Sequence, residues 1–261
     1  MAVIMNERFV SERKEIGKGR QATVYLWNGF AFKVYNEGYP PQWIDFEMQV
    51  QKQISQTALP VAKYYKTDCP HIIKMDYISG VTLSEKILEG QYQHGIEDLL
   101  NLQKQIHRID NVDLPHIRKC LEPEISGLNC AEEQKARALR FLSEIEDANT
   151  LCHLDFHPSN IISHNDMYYI IDWINARLGQ PIFDYARTFV ILFEAAHALA
   201  ERYMELLKTS VDDMDMSQLD KAIYIMALLR TKEMGGSNTS RLLAKYGNTP
   251  SDPPFTRVNI P

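Results

Sequence analysis

The sequence predicts an α+β, bilobal fold, with a small sheet-rich lobe over residues 1–78 and a larger, mainly helical lobe over residues 79–261. Short runs rich in β-branched and aromatic residues dominate the first segment. Apolar residues at helical spacing dominate the second. A chain of 261 residues can bury the core of one large domain or of two modest lobes, so its length is sufficient for two lobes.

The elements follow from local patterns. Runs of β-prone residues predict strands over Phe9–Ile16, Ala22–Trp27, Phe30–Tyr35, Pro60–Tyr65, His71–Ile78 and Met167–Trp173. Helical periodicity predicts helices over residues 40–56, with Pro41 in the first turn, and over Ile96–Ile109, Ala131–Glu146, Asp184–Lys208 and Ser217–Arg230. The last segment, residues 248–261, contains four prolines and is expected to be an irregular tail.

Charge and composition exclude several classes of protein. The 28 basic and 34 acidic residues give a net charge of −6, which disfavours a general nucleic-acid-binding surface. No uncharged apolar run approaches the ~18 residues of a membrane helix, and charged residues interrupt the N-terminal segment where a signal peptide would be apolar. The four cysteines are widely spaced, as in reduced proteins. We expect a cytoplasmic protein without nucleic-acid or membrane partners, and nothing in the sequence indicates an oligomeric state.

A tight hairpin is predicted near the N-terminus. The Asn28-Gly29 pair lies between two β-prone runs, and a type I′ turn needs positive φ at both of its central residues. The two-residue loop then sets the register, so that Trp27 opposes Phe30 and Val24 opposes Lys33. Alternation along each strand places four side chains on one face: Val24, Leu26, Ala31 and Lys33.

This face of the hairpin suits a nucleotide. Val24 and Ala31 form an apolar surface of small residues for a flat base, and the Lys33 ammonium suits a polyphosphate. Just upstream, Gly17 and Gly19 allow the backbone to approach a ligand closely. Two glycines alone are weak evidence, because plain turns use them too, but the register of the lysine strengthens the prediction of a nucleotide site.

The helix that follows offers Lys33 a partner. With 100° per residue, Glu47 falls inside the apolar arc of this helix and Asp45 falls outside it. A carboxylate that points into the core needs a compensating group, and Lys33 is the candidate. The alternative is that Glu47 only borders the apolar arc and stays solvated.

Two chemistries compete for the segment "LCHLDFHPSNIISHNDMYYIIDW", residues 151–173. His153, Asp155 and His157 alternate as in a strand and, with Asp172, could form the site of a metal-dependent hydrolase. Pro158 ends any strand there, however.

The second chemistry is phosphoryl transfer. Asn160 and Asp172 supply two hard oxygen ligands that suit Mg²⁺, which takes further ligands from water and substrate phosphates. Asp155 can then accept a proton from a substrate hydroxyl.

Taken together, the motifs resemble those of the aminoglycoside phosphotransferase and choline kinase family of protein-kinase-like enzymes. "HLDFHPSN" is similar to the family's H-x-D-x-x-x-x-N, and "IIDWINARLGQPIFDYA" is similar to its hydrophobic-D-W/F and G-P-x-x-D-x-A stretches. The resemblance covers roughly residues 14 to 190. Two glycines instead of a fuller glycine loop, and Gln180 inserted between Gly179 and Pro181, depart from the pattern.

The resemblance implies a role for each matching residue. Asp155 would be the catalytic base, Asn160 and Asp172 would bind Mg²⁺, and Lys33, fixed by Glu47, would hold the α- and β-phosphates of ATP or GTP. The backbone of a hinge between the lobes would bind the purine, through Asp76, Tyr77 and Ile78. Asp184 would brace the catalytic loop. His153 is expected to support the same loop.

The acceptor is expected to be a hydroxyl of a small molecule. Only eleven residues separate Asp172 and Asp184, too few for the long activation segment of a protein kinase. An aminoglycoside is favoured because acidic residues that could bind a polycation occur in the helical segment: Glu194, Glu201, Glu205, Asp212, Asp213, Asp215 and Asp220. Helix capping and ordinary surface charge are the more common explanation of such residues. Choline, homoserine and sugar derivatives are alternative acceptors, and a nucleotide-binding regulator without catalysis is an alternative function.

Overall fold

The computed structural model describes residues 7–90, 92–212, 214–234 and 237–247. The predicted tail over residues 248–261 and the candidate residue Asp213 lie outside the described residues. Two compact units are present. Unit 1 contains the described residues up to Leu114 together with His157–Ala176, and unit 2 contains Pro115–Phe156 and the described residues from Arg177 onward. The functional boundary predicted at residue 78 stays a prediction.

Unit 1 contains most of the β-structure. Its helices are α1 (Glu7–Glu12), α2 (Pro41–Ile54), α3 (Leu83–Leu88) and α4 (Gly95–Ile106). Its strands are β1 (Lys14–Lys18), β2 (Ala22–Trp27), β3 (Phe30–Tyr35), β4 (Tyr64–Tyr65), β5 (Ile72–Asp76), β6 (Val81–Thr82), β8 (Ile161–His164) and β9 (Met167–Ile170). Two 3₁₀ turns flank the last two strands, over Pro158–Asn160 and Trp173–Asn175.

The first five strands form an antiparallel sheet in the order β1-β2-β3-β5-β4. The predicted hairpin register is confirmed, because Trp27 pairs with Phe30 and Val24 pairs with Lys33. Asn28 and Gly29 both have positive φ, 47° and 77°, as a tight turn of this kind requires. Helix α2 packs through Ile44 on the face of the sheet that carries Lys33.

A short helix, not a strand, begins the described chain. The strand predicted over Phe9–Ile16 is wrong, since Glu7–Glu12 is helical and β1 begins only at Lys14. Phe9 is fully buried against the sheet face opposite α2, where its ring meets Trp27 and Phe32 edge-on. The aromatic cluster overrides the weak local β-preference, because burying these rings stabilises the fold more than local propensity opposes it.

A second small sheet, in the order β6-β8-β9, carries the segment predicted to hold the metal. The strand predicted over Met167–Trp173 ends at Ile170, so Asp172 lies after the strand and not within it. Asp172 adopts a left-handed conformation, with φ 64° and ψ 59°. This reversal of the backbone ends the strand and redirects the side chain.

Unit 2 is mainly helical. Its elements are α5 (Ile117–Ser126), α6 (Glu132–Glu144), β7 (Thr150–Cys152), β10 (Arg177–Gly179), α7 (Pro181–Ala195), α8 (His197–Ser210), α9 (Met216–Met234) and α10 (Ser237–Tyr246). Strands β7 and β10 pair antiparallel. Helix α9 lies at the centre, packed by α6, α7 and α10, and its residues from Ala222 to Leu229 are all buried. A helix that is apolar on every side is typical of such a position.

One predicted helix of unit 2 is in fact two. The periodicity predicts a single helix over Asp184–Lys208, but Ala196 is extended, with φ −159° and ψ 94°, and separates α7 from α8. No proline or glycine marks this break, so the packing of both helices in unit 2 decides it. Among the helices of the described residues, none is long and apolar enough to span a membrane.

Candidate active site

Lys33 lies at the centre of a charged cluster in unit 1. Its Nζ donates to Glu47 Oε1 at 2.7 Å and to Asp172 Oδ1 at 3.1 Å. Glu47 reaches Lys33 because α2 packs on this face of the sheet, and Asp172 reaches it because α2 also packs against the turn Trp173–Asn175. The predicted pairing of Lys33 with Glu47 is therefore present, and the predicted metal ligand Asp172 joins it.

Two tyrosines that sequence reasoning missed hold Glu47 in place. The Tyr35 hydroxyl donates to Glu47 Oε2, and the Tyr64 hydroxyl donates to Glu47 Oε1 at 3.5 Å. Glu47 is only 2% exposed, so these donors replace the water that the carboxylate loses. A signal for Tyr35 existed, because it lies two residues after Lys33 and so on the same strand face. No local pattern indicated Tyr64, which comes from β4.

The cluster stabilises the charged form of Lys33. Burial by itself lowers the pKa of Lys33, but the carboxylates of Asp172 and Glu47 outweigh burial and raise this pKa well above its usual range. Burial above all, with the Glu47 carboxylate, raises the pKa of Tyr35 and of Tyr64. Lys33 is thus a permanent cation near neutral pH, and both tyrosines are permanent donors.

The residues predicted to hold the base and the phosphates lie on the first sheet. Val24 pairs with Lys33 on one side and with Gly17 on the other. Ala31 is 5% exposed and lies two residues before Lys33 on the same face. The Gly19 amide donates to the Ala22 carbonyl oxygen at 2.9 Å, which closes the β1–β2 turn. Their contact with a nucleotide stays a prediction.

The predicted hinge begins where β5 ends. The Asp76 amide donates to the Lys63 carbonyl oxygen at 3.0 Å, and the Asp76 carboxylate accepts from the Lys63 amide at 3.1 Å and from the Tyr65 hydroxyl at 2.9 Å. Because the amide of Asp76 is already used, it is not the donor to a purine. The Asp76 carbonyl oxygen and the backbone of Tyr77 and Ile78, which follow the strand, stay the predicted purine contacts.

The β8–β9 hairpin brings the two predicted metal ligands to one end. Asn160 directly precedes β8, Asp172 follows β9, and the Ile171 amide donates to the Asn160 carbonyl oxygen at 3.0 Å. Asn160 is 8% exposed, whereas the Asp172 side chain is 40% exposed. An amide oxygen and a carboxylate oxygen are hard ligands, which fits Mg²⁺ with water and phosphate oxygens completing its shell. The side chains present are therefore compatible with the ion.

The predicted catalytic base, Asp155, belongs to unit 2. Leu154, just before it, has φ 59°, and its amide donates to Asp184 Oδ1 at 2.7 Å. The Asp155 amide lies 3.3 Å from Nδ1 of the fully buried His153. Asp184 and His153 thus support the loop, as predicted. A left-handed leucine is strained, and the bond to a fully buried aspartate compensates for that strain.

The residues proposed for a metal hydrolase do not form a metal site. Among the described residues, no group of three or more histidine, cysteine, aspartate or glutamate side chains could hold a metal ion. His153 instead faces the Asp155 amide and packs against the Phe156 ring, 5.6 Å between centroids. The described residues therefore do not support the metal-dependent hydrolase as an alternative function.

Three of the acidic residues considered for a polycationic acceptor pair with neighbouring basic side chains within unit 2. The pairs are Glu194 with Arg230 at 2.7 Å, Glu201 with His197 at 3.3 Å, and Glu205 with Arg202 at 3.6 Å. Glu194 is largely buried, so its ion pair is structural. Glu201 and Glu205 form exposed pairs, which contribute little to stability and are easily exchanged.

The aspartates of this group have different settings. Asp215 caps α9 by accepting from the Ser217 amide at 2.9 Å and from the Gln218 amide at 3.2 Å. Burial raises the pKa of Asp220, and Asp212 is exposed. Capping explains Asp215 without a ligand, and contact between these carboxylates and an acceptor stays a prediction.

Sequence comparison decides the family. A profile of the phosphotransferase enzyme family, APH, matches residues 12–215, which is most of the chain. The chain belongs to this family. It is accordingly a small-molecule kinase, as the motifs predicted. No curated protein matches the chain by sequence.

Solved structures support the same fold. The aminoglycoside phosphotransferase APH(4)-Ia, as a thermostable mutant, is similar with a TM-score of 0.66 and 14% identity over 90% of this chain and 92% of that one. A choline/ethanolamine kinase family protein from Mesorhizobium loti is similar with a TM-score of 0.66 and 12% identity, over 95% of this chain and 92% of that one. The choline kinase LicA from Streptococcus pneumoniae is similar with a TM-score of 0.62 and 16% identity, over 92% of this chain and 95% of that one. The predicted kinase-like α+β fold is confirmed.

Proposed function

We propose that this phosphotransferase moves the γ-phosphate of ATP, with Mg²⁺, to a hydroxyl of a small molecule that also carries a cationic nitrogen, with an aminoglycoside as the first candidate. The observation that carries the proposal is the double ion pair of Lys33 with Glu47 and Asp172. A largely buried lysine held charged between two carboxylates is suited to a polyphosphate, and one of the two carboxylates is the predicted metal ligand.

The residues have separate roles in the proposed reaction. Lys33, oriented by Glu47, would bind the α- and β-phosphates, and Asn160 and Asp172 would hold Mg²⁺. The ion, when bound, neutralises charge on the phosphate oxygens. Asp155 would orient the acceptor hydroxyl and take its proton as the new O–P bond forms and the bond from the γ-phosphorus to the ADP oxygen breaks.

Adenine nucleotides are favoured as donors. APH(4)-Ia has been crystallised with ADP and with AMP-PNP, and LicA with AMP. Those ligands belong to those proteins, but the shared fold makes ATP the first donor to test here. GTP is the comparison. ATP is abundant inside cells, which also agrees with the predicted cytoplasmic location.

The proposed acceptor class is supported by what the similar proteins have in common. APH(4)-Ia binds hygromycin B in its ternary complexes, and other similar structures are choline kinases. Aminoglycosides and choline differ greatly in size, but both combine a hydroxyl with a positively charged nitrogen. The exposed acidic side chains of unit 2, such as Glu201 and Asp212, could attract such a cation. Choline remains the second candidate, and homoserine and sugar derivatives complete the range.

The experiment measures release of ADP from Mg·ATP, and of GDP from Mg·GTP, with a panel of acceptors. The panel contains aminoglycosides, choline, ethanolamine, homoserine and sugars. Asp155→Asn is the key variant, because it keeps the shape of the side chain but cannot take a proton. Asp166→Asn is its matched control, since Asp166 lies in the exposed turn between β8 and β9.

We expect acceptor-stimulated ADP release by the wild type and by Asp166→Asn. In Asp155→Asn this release should fall by at least about 100-fold, the usual range for a proton-transfer group. Binding of ATP, followed by isothermal calorimetry, should stay unchanged. Unaltered turnover in Asp155→Asn would contradict the role of Asp155. Stimulation by an uncharged sugar alone would contradict the cationic acceptor.

A further inference from the structure

The β8–β9 hairpin links the two proposed metal ligands by a short piece of chain. Ile161 pairs with Ile170 at the ligand end, and His164 pairs with Met167 at the turn. Asn160 immediately precedes the first strand. Any group that fixes this hairpin within unit 1 therefore also fixes the positions of Asn160 and Asp172.

A polar cluster holds both strands of this hairpin at the same rung. Ser163 and Tyr168 are paired across the two strands. The Tyr168 hydroxyl donates to Asp98 Oδ2 at 2.6 Å, and the Tyr92 hydroxyl donates to the same oxygen. Lys86 Nζ lies 3.4 Å from Ser163 Oγ and 3.4 Å from the Tyr168 hydroxyl. We call these five residues the Asp98 cluster. Helices α3 and α4 thus hold β8 and β9 through side chains.

The Asp98 cluster is built to stay assembled. The Lys86 ammonium lies 4.3 Å from the centre of the Tyr92 ring and 5.2 Å from that of the Tyr168 ring. Such cation–π contacts are favourable when they are shielded from water. Burial raises the pKa of Tyr168, and the hydrogen bond to Asp98 adds to this rise. The hydrogen bond to Asp98 also raises the pKa of Tyr92, so both tyrosine hydroxyls remain donors to the carboxylate at every physiological pH.

None of these five residues has a role in the proposed transfer itself. Plain packing does not require them either, because apolar side chains at both positions 98 and 168 would fill the same space without a carboxylate to be satisfied. A directional hydrogen bond between a helix and a strand restricts the strand in a way that apolar contact does not. What the cluster supplies is a defined position for the hairpin.

We propose that Tyr168 and Asp98 are positioning residues for the divalent cation. By fixing the hairpin on α4, they hold Asn160 and Asp172 in the arrangement that binds the ion. This inference rests on the proposed function, since it assumes that these two residues are the ligands. A purely structural cluster would change the stability of unit 1 and leave the affinity for the cation as it was.

The test compares Tyr168→Phe with Tyr169→Phe. Both variants remove one hydroxyl from adjacent residues of β9, but Tyr169 points to the other face of the strand, where its ring lies near His164. Mn²⁺ replaces Mg²⁺ as the probe, because free Mn²⁺ can be counted by electron paramagnetic resonance. Its dissociation constant is measured in the presence of saturating AMP-PNP, without turnover.

We expect the Kd for Mn²⁺ to rise roughly three- to tenfold in Tyr168→Phe and to stay within about twofold in Tyr169→Phe. The expected change is below the 10–100-fold that follows loss of a group bonded directly to a metal ligand, because Tyr168 acts through the strand. Asp98→Asn should raise the Kd similarly. The double variant should be no worse than the poorer single variant, as expected for residues that act as one unit.

The failure of this inference can be told from failure of the proposed function. Wild-type protein that transfers phosphate, with unchanged Mn²⁺ affinity in Tyr168→Phe and Asp98→Asn, would overturn the positioning role alone. Wild-type protein that binds no Mn²⁺ would overturn the proposed function and the positioning role with it. If Tyr168→Phe does not fold, as judged by circular dichroism, Asp98→Asn and Lys86→Met decide the question by the same measurement.

Discussion

Replacing Glu47 by glutamine removes one negative charge from the Lys33 cluster without changing the size of the side chain. The charge belongs to a residue that is 2% exposed and that accepts hydrogen bonds from Lys33, Tyr35 and Tyr64. An amide has a single acceptor oxygen, and its NH₂ group would face donors. Glu47→Gln should therefore destabilise unit 1, even though the shape of the core is preserved.

The magnitude follows from the partners that remain. Breaking a buried ion pair by removing one partner costs about 3–5 kcal/mol. Lys33 keeps Asp172, 3.1 Å away, so the lower end applies, and we expect the free energy of unfolding to fall by about 3 kcal/mol. With a urea dependence of about 3 kcal/mol per M, the unfolding midpoint should fall by about 1 M.

Tryptophan fluorescence is the natural assay. The three tryptophans, Trp27, Trp43 and Trp173, all belong to unit 1, so their emission reports the unfolding of this unit. Asp45→Asn is the matched control, because Asp45 is an exposed acid on the same helix and its loss should shift the midpoint by no more than about 0.2 M. Equal midpoints for Glu47→Gln and Asp45→Asn would refute the structural role of the buried carboxylate.

Two further predictions concern the same unit. The pKa values of Lys33, Tyr35 and Tyr64 are all raised in the folded state, so their contribution to stability is fully present below the unfolded values of about 10 and is lost as the pH rises towards the folded values. Urea midpoints should therefore be flat from pH 7 to 9 and fall above about pH 10. Gly80→Ala should cost at least about 2 kcal/mol, because the new Cβ would lie 2.1 Å from the Ser163 carbonyl oxygen.

Controls exist for both predictions. The urea midpoint of Tyr35→Phe should fall less steeply with pH above 10, since one group with a raised pKa is gone. A slope equal to that of the wild type would contradict the contribution of Tyr35 to the pH dependence. Gly17→Ala is the control for Gly80→Ala, because its Cβ would meet only Val24, at 3.8 Å. If Gly80→Ala unfolds at the same midpoint temperature as Gly17→Ala, a glycine at position 80 is not needed for the close approach of the Ser163 carbonyl oxygen.

Local patterns determined the parts of the site that depend on near neighbours in sequence. A two-residue turn leaves only one register for β2 and β3, so Val24 and Lys33 could be paired without a structure. Helical periodicity alone predicted that Glu47 points into the core, and Lys33, 14 residues earlier in the chain, was the nearest predicted inward-facing cation. The candidate catalytic loop was identifiable because its residues lie within one short segment.

Sequence patterns failed where distant packing decides the backbone. The burial of Phe9 makes a helix of a segment with β-preference, and Ala196 breaks a helix that contains no breaker. Asp172 leaves its strand for a left-handed conformation that local preference disfavours. For Phe9, burial in the aromatic cluster outweighs a local preference that is worth less than about 1 kcal/mol per residue, whereas the breaks at Ala196 and Asp172 have no mark in the local sequence pattern.

The sequence by itself therefore determined the family, the fold class and the candidate site residues, since these depend on the order and spacing of side chains. Only the tertiary structure decided what surrounds them. Lys33 meets Asp172 across 139 residues, and Tyr168 meets Asp98 across 70. Contacts of this kind leave no periodic trace in the chain, because each depends on how whole elements pack and not on the residues that flank it.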